Sequence, residues 1–81
     1  MKYGLRFESR SLKDLRKLDN RLSKRIVDRI ESMTEDLKGD VKKLTDHSPQ
    51  YRLRIGDYRI LFDIEDKTIV IQRIRDRREV Y

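Results

Sequence analysis

The chain has 81 residues, no cysteine, one histidine, 44% charged residues and a formal net charge of +6. This length allows one small domain, residues 1–81, and the lack of cysteine excludes a disulfide scaffold, a thiolate metal site and a cysteine nucleophile. We expect no metal and no cofactor, since one histidine leaves little for a zinc centre or a Ser-His-Asp triad.

The chain is expected to be cytoplasmic, with no membrane partner. No apolar run approaches the ~20 residues of a membrane span, and the N-terminus lacks the apolar segment of a signal peptide.

The kind of positive charge changes along the chain. Residues 1–50 carry six arginines and seven lysines, whereas residues 51–81 carry seven arginines and one lysine. A basic chain this rich in charge is typical of nucleic-acid-binding domains and also of thermophile surfaces. Because the planar guanidinium matches two phosphate oxygens at once and lysine does not, the sequence predicts a polyanion-binding surface in its last thirty residues.

The first predicted elements are a strand and a short helix. Residues 2–7 alternate between apolar and other side chains, which is typical of a strand. Ser11, followed three residues later by Asp14, fits a capping box, and it predicts a helix that starts there with Leu12 and Leu15 facing inward.

A second helix, over about residues 21–38, is the clearest predicted element. Its apolar residues recur every three or four positions and form one stripe: Leu22, Ile26, Ile30, Met33 and Leu37. Asp19 or Asn20 can cap its start, and Gly39 is a natural C-terminal stop. The stripe predicts the face that packs on a sheet, and the basic residues opposite it form a solvated surface.

Residues 40–50 have the composition of a loop, and three predicted strands follow it. Residues 51–55 and 58–64 alternate and are joined by Gly56-Asp57, which fits a two-residue type II′ turn. The third strand runs from Thr68 to about Ile74. The predicted order is β-α-α-β-β-β, an α+β domain with a helical hairpin packed on a largely antiparallel four-stranded sheet.

The two-residue turn fixes the register of the first hairpin. One face is then a core face, with these side chains: Tyr51, Leu53, Ile55, Tyr58, Ile60 and Phe62. The other face brings together Arg52, Arg54 and Arg59, with Arg54 directly opposite Arg59. Opposed like charges destabilise a sheet by about 0.2–1 kcal/mol per pair, and an anionic ligand would relieve this. The alternative is a surface network in which acids such as Asp57 and Asp63 pair with the arginines.

The register of the last strand stays open. Four of the six residues from 73 to 78 are arginines: Arg73, Arg75, Arg77 and Arg78. A plain turn at Asp66-Lys67 would place Val70, Gln72 and Ile74 on the arginine-bearing face, and a bulge would shift this pattern by one residue. The sequence does not fix which of these arginines joins the hairpin cluster.

The segment Tyr-Arg-Leu-Arg-Ile-Gly-Asp-Tyr-Arg-Ile-Leu-Phe at 51–62 and the ending Arg-Arg-Glu-Val-Tyr resemble the RelE branch of the RelE/ParE toxins. The resemblance implies a toxin–antitoxin toxin that cleaves mRNA in the ribosomal A site and is blocked by a cognate antitoxin. The catalytic residues it implies are Arg52, Arg54, Arg59, Arg77 (with Arg78 as an alternative to Arg77) and Tyr81. The residues expected to bind RNA beside them are Arg73, Arg75, Arg78, Lys42 and Lys43.

The chain departs from this family pattern at the positions that handle protons. Relatives often carry lysine at Arg52 and Arg54, and Gly-His-Arg where this chain has residues 75–77. Arginine does not lose its proton near neutral pH, so no conventional base remains in the motif. The candidates for proton transfer are Glu79, Asp76, Tyr81 and His47.

Two alternative functions share the same expected fold. One is a ParE-type toxin that poisons DNA gyrase, and the other is an inactive relative whose basic face binds nucleic acid or an antitoxin. The arginine cluster favours the endoribonuclease.

Overall fold

Two helices pack on one sheet of five strands in the described part of the chain. We describe the fold from a computed structural model, which covers residues 2–76 and Arg78. The elements in chain order are β1 (Gly4–Phe7), α1 (Ser9–Arg16), α2 (Asn20–Met33), β2 (Asp40–Lys43), β3 (Tyr51–Ile55), β4 (Tyr58–Glu65) and β5 (Thr68–Asp76). The predicted α+β class is confirmed.

The sheet has the strand order β1-β5-β4-β3-β2. Only the β1–β5 pair is parallel among these strands, and the other three pairs are antiparallel, as expected. The core lies between α2 and one sheet face, where Ile26, Ile30 and Met33 are fully buried against residues such as Leu53 and Phe62. The predicted core face is therefore correct, and so is the helix stripe as far as Met33, whereas Leu37 lies beyond the end of α2. No helix in the described residues is long and apolar enough to cross a membrane.

The predicted loop over residues 40–50 contains a strand, which corrects the expected strand count from four to five. Residues of β2 pair with β3, with Asp40 opposite Arg54 and Lys42 opposite Arg52. Three of the four β2 residues are exposed, and Val41 is its only apolar one. An edge strand held mainly by backbone hydrogen bonds needs no alternating apolar pattern, so its sequence gives little signal.

The start of α1 also differs from the prediction. The helix begins at Ser9, and Ser11 lies inside it and donates its hydroxyl proton to the Glu8 carbonyl at 2.7 Å. Asp14 is buried and turned toward β5, so the capping box was wrong, and Leu12 is exposed where an inward position was expected.

The second helix starts as predicted and ends five residues early. The Asp19 carboxylate accepts from the Leu22 backbone N–H at 2.8 Å, which is an ordinary N-cap. After Met33 the backbone turns to meet the N-terminal segment, where the Tyr3 N–H donates to the Thr34 carbonyl at 2.8 Å. The Thr34 carbonyl thus accepts from the N-terminal segment instead of from a further turn of α2.

A bulge in β5 decides which of its side chains reach each face. From Thr68 to Ile71 the strand pairs regularly with β4, but Arg73 then lies opposite Leu61, which leaves Gln72 as an extra residue. Without the extra residue, Ile74 would lie opposite Arg59, and Arg75 would be on the core face. With it, Ile74 is buried in the core and Arg75 lies opposite Arg59.

A carboxylate of α1 is bonded to β5 just beyond this bulge. Asp14 Oδ2 accepts from the Ile74 backbone N–H at 2.9 Å and from Arg73 Nε at 2.9 Å, and Oδ1 accepts from Arg73 Nη2 at 3.3 Å. Burial raises the pKa of Asp14, but these hydrogen bonds and the charges of Arg73 and Lys17 outweigh it and leave the pKa below its ordinary value of 3.8.

Two glycines with positive φ allow a first stability test. Gly39 has φ +112°, and a Cβ there would lie 3.0 Å from Leu53 Cδ1, whereas Gly56 has φ +55° with open space around it. We expect Gly39→Ala to destabilise the fold by about 2 kcal/mol, because strain and a clash add up. Gly56→Ala should cost only about 1 kcal/mol, from the left-handed backbone alone. Urea unfolding measures both, and equal losses would contradict the packing described at Gly39.

The Asp14 contacts predict an acid-dependent stability. A carboxyl group whose pKa is lower in the folded state stabilises the fold above its unfolded pKa, and that contribution is lost as the pH falls through the folded pKa. The unfolding free energy of the wild type should therefore exceed that of Asp14→Asn near neutral pH, and the gap should narrow below about pH 4. Urea titrations across this range provide the measurement, and a gap independent of pH would contradict an ionised Asp14.

Candidate nucleic-acid interface

The sheet face opposite the helices carries the basic residues singled out in the sequence. Strand pairing puts Arg54 of β3 opposite Arg59 of β4, and Arg59 opposite Arg75 of β5. We call these three residues the arginine row. Neighbouring strands are about 4.8 Å apart, so the row spans roughly 10 Å across three strands. Its residues come from two hairpins with two-residue turns, and strand pairing sets the spacing of their backbones.

A second row lies one pleat further along the same strands. It contains Lys42 opposite Arg52, and Leu61 opposite both Arg52 and Arg73. Leu61 is only 3% exposed, so an apolar residue lies between the charged ones. The Arg52 side chain is 15% exposed, and its Nη1 donates to the Asp40 carbonyl at 2.9 Å and to Asp40 Oδ1 at 3.3 Å. Asp40 thus fixes Arg52 from the strand that the sequence did not reveal.

The arginine row is not neutralised at Arg54 and Arg59. Neither side chain has a hydrogen bond or an ion pair with any residue in 2–76 or with Arg78. Asp63, one of the acids considered as a partner, instead accepts from the Gln50 backbone N–H at 2.8 Å and lies 3.5 Å from Gln72 Nε2. Two opposed cations without an acid between them make this face a favourable place for an anion.

Arg73 and Arg78 are in a different situation, because each is bound to an acid. Arg73 reaches around β5 to the Asp14 carboxylate and is 30% exposed. Arg78 is 85% exposed and donates from Nη2 to Asp76 Oδ2 at 2.9 Å. This hydrogen bond and the negative charge of Asp76 raise the pKa of the Arg78 guanidinium.

The two lysines of β2 point to opposite faces. Lys42 shares the face of the arginine row because it pairs with Arg52, and it is exposed. Lys43 pairs with Tyr51, and its Nζ lies 6.0 Å from the centre of the Tyr51 ring, within reach of a cation–π interaction. Tyr51 in turn stacks on Phe62 with ring centres 5.4 Å apart. Lys42 therefore adds to the basic face, and Lys43 does not.

Several predicted residues fall outside the described part of the chain: Arg77, Glu79 and Tyr81. Of the other candidates for proton transfer, Asp76 ends β5 and binds Arg78, and His47 lies in the segment before β3 with Nδ1 2.9 Å from the Pro49 carbonyl oxygen. No group of three or more His, Cys, Asp or Glu side chains within residues 2–76 and 78 could hold a metal ion.

The sequence predicted that Arg75 binds RNA but did not fix whether it joins the hairpin arginines, and it gave no sign of the contact made by Asp40. A signal for Arg75 exists in the spacing of buried residues on β5. Ile69 and Ile71 are two positions apart, but the next buried core residue, Ile74, is three positions further on. A three-residue step in a two-residue pattern indicates a bulge, and the bulge brings Arg75 to the face of Arg59.

Comparison with known proteins shows which family the chain is similar to. Residues 5–81 match the family model described as the ParE toxin of the type II toxin–antitoxin system parDE. The chain is 34% identical over 80 residues to "Toxin RelE3" of Methanocaldococcus jannaschii, covering 93% of this chain and 91% of the relative. It is 30% identical over 87 residues to the "mRNA interferase toxin RelE" of Escherichia coli K12, covering 100% and 92%.

Solved structures show the same fold. A toxin–antitoxin complex RelBE2 from Mycobacterium tuberculosis matches with a TM-score of 0.80 and 27% identity, covering 94% of this chain and 99% of that one. The archaeal RelE–RelB complex from Pyrococcus horikoshii OT3 matches with a TM-score of 0.78 and 26% identity, covering 99% and 100%. With these matches and the arginine row on its sheet, the chain belongs to the RelE/ParE superfamily of type II toxins, on the RelE branch.

Proposed function

We propose that this toxin is a cytoplasmic, metal-independent endoribonuclease that cleaves mRNA in the ribosomal A site and so inhibits translation. The observation that carries the proposal is the arginine row, in which Arg54 and Arg59 have no acidic partner among the described residues. The E. coli relative named as an mRNA interferase supports the same activity. A basic sheet face also suits an extended single strand of RNA, which can lie across such a face but would not fit in a deep pocket.

The proposed reaction uses the RNA itself as the nucleophile. The 2′-oxygen loses its proton and bonds to the adjacent phosphorus, the bond from phosphorus to the 5′-oxygen breaks, and that oxygen gains a proton. The products are a 2′,3′-cyclic phosphate, or the 3′-phosphate after its hydrolysis, and a 5′-hydroxyl end. Negative charge builds up on the phosphoryl oxygens in the transition state, where fixed guanidinium groups stabilise it.

Each basic residue has a separate proposed role. Arg54, Arg59 and Arg75 contact the reacting phosphate, and Arg52 adds a cation that Asp40 holds in place. Lys42 binds the RNA backbone on the adjoining strand. Arg73 is bound to Asp14, which favours a structural role.

The C-terminal residues enter the proposal by family resemblance. Arg77 is the family's arginine before the Val-Tyr ending, and we assign the role to it because Arg78, its alternative in the sequence, is bound to Asp76. Tyr81 stacks on an RNA base or helps to move a proton. Since the arginines keep their protons, the base and the acid come from Asp76, Glu79, Tyr81 or His47. Placing the 2′-oxygen in line with the leaving oxygen supplies the rest of the acceleration.

An antitoxin is the second proposed partner. The related toxins from M. tuberculosis and P. horikoshii were solved as complexes with RelB antitoxins. We propose that a cognate RelB-like antitoxin binds this chain, and the net charge of +6 favours an acidic one.

One observation favours a different activity. The matching family model is named for ParE, and the ParE branch poisons DNA gyrase. In that case, the arginine row would bind a protein or DNA, and mRNA would stay intact.

Single substitutions in the arginine row test the proposed activity. Purified toxin is added to ribosomes programmed with a defined mRNA, and new mRNA ends are mapped and timed by primer extension. We expect cuts in the A-site codon, and Arg54→Ala and Arg59→Ala should each slow them by about 100-fold, because each removes a cation that stabilises transition-state charge. Arg25→Ala, an exposed arginine on α2, is the matched control and should cut at the wild-type rate.

The same assay can overturn the proposal. Intact mRNA with the wild-type toxin, together with trapped gyrase–DNA complexes in a parallel gyrase assay, would assign the chain to gyrase poisoning. Equal loss of cutting in all three variants would show that net charge alone matters, and not the position of the arginine row.

A further inference from the structure

Asp14 of α1 is a buried carboxylate at the outer edge of β5. The parallel strand β1 pairs with β5 only from Thr68 to Ile71. Beyond Ile71 the outer edge of β5 faces α1, and the Asp14 carboxylate accepts the buried Ile74 N–H at 2.9 Å. Where β1 ends, the Asp14 carboxylate thus supplies a hydrogen-bond acceptor to the outer edge of β5.

The position of this contact coincides with the bulge. Gln72 is the extra residue, and Asp14 bonds to the next two residues, through the Arg73 guanidinium and the Ile74 backbone. In a ladder without the bulge, the residue opposite Ile60 would be Arg73 instead of Ile74. In the bulged register the Ile74 N–H points away from β4 and toward Asp14, whereas in a regular ladder it would point to β4. The Asp14 carboxylate therefore has a backbone donor only in the bulged register.

Asp14 therefore bonds selectively to one of two registers. Loss of an acceptor for a buried N–H is costly, which biases the strand toward the register in which Asp14 supplies that acceptor. The same register carries Arg75 to the face of Arg59. A regular ladder would carry Arg75 to the core side.

We propose that Asp14 is a positioning residue for the cleavage reaction: by bonding to Ile74 and Arg73, it holds β5 in the bulged register and so keeps Arg75 in the arginine row. The proposal rests on the proposed function for its effect on cleavage. Its effect on the register of β5 is independent of any activity.

The register can be read by NMR without altering the arginine row. Because the Ile74 N–H is turned to Asp14, Ile60 and Ile74 form a non-hydrogen-bonded pair, whose Cα atoms are about 4.5 Å apart and whose Cα protons give a strong nuclear Overhauser effect. Asp14→Ala should weaken this signal and speed hydrogen exchange at Ile74. Cleavage at saturating toxin should slow by at least about tenfold, with the concentration needed for half-saturation changed less than about threefold.

Two variants separate positioning from general loss of stability. Asp19→Ala removes the N-cap of α2 and lowers stability without touching β5, so it should keep both the Ile60–Ile74 signal and the wild-type rate. Asp14→Asn keeps an oxygen for the Ile74 N–H, and it should retain the signal and recover most of the rate.

If Asp14→Ala does not fold, a double variant with the two charges exchanged provides the test. Asp14→Arg combined with Arg73→Asp restores an ion pair between α1 and β5 but offers no acceptor to Ile74, so cleavage should stay slow. The proposal is overturned if the swap restores the rate, or if Asp14→Ala keeps both the signal and the rate of Asp19→Ala. A wild-type toxin that leaves mRNA intact would refute the proposed function, while the NMR signal would still decide whether Asp14 sets the register.

Discussion

Beyond Gln72, each residue of β5 is displaced by one position from a regular ladder, and both sides of the sheet depend on that displacement. It buries Ile74 against Ile60 on the core side, and it puts Arg75 beside Arg59 on the other side. A strand has a side-chain period of two, so one extra residue exchanges the faces of everything after it. The core therefore favours the register that also completes the arginine row. Packing and function are linked here through the backbone.

The distribution of acids explains why this face is basic even though the chain has 15 of them. Three of the acids are bonded to arginines: Asp40 to Arg52, Asp14 to Arg73 and Asp76 to Arg78. Arg54 and Arg59 remain without such a partner in residues 2–76 and 78, and they lie directly opposite each other. The ion pairs hold individual side chains in place, while the cross-strand pair keeps an uncompensated charge. Repulsion between the two guanidinium groups is a small stability cost that an RNA phosphate would remove.

Much of this arrangement could be predicted from the sequence because it is local. The Gly56-Asp57 turn fixed the β3–β4 register, and every predicted pair, including Arg54 with Arg59, is found. Strand β2 could not be predicted, since its edge position requires no apolar alternation. The role of Asp14 depends on a contact between residues 60 positions apart, which a local pattern does not contain, whereas the bulge leaves a local signal in the spacing of Ile71 and Ile74.

We infer that the register of β5, and not the mere abundance of arginine at the C-terminus, decides which residues act on RNA. The most direct measurement compares the rates of mRNA cleavage on programmed ribosomes for Arg75→Ala and Arg78→Ala. We expect a loss of about 100-fold for Arg75→Ala, which removes a member of the arginine row. The rate of Arg78→Ala should be nearly that of the wild type, because Arg78 is exposed and bound to Asp76. Wild-type cleavage by Arg75→Ala, or an equal loss in both variants, would show that the register of β5 does not select the arginines that act on RNA.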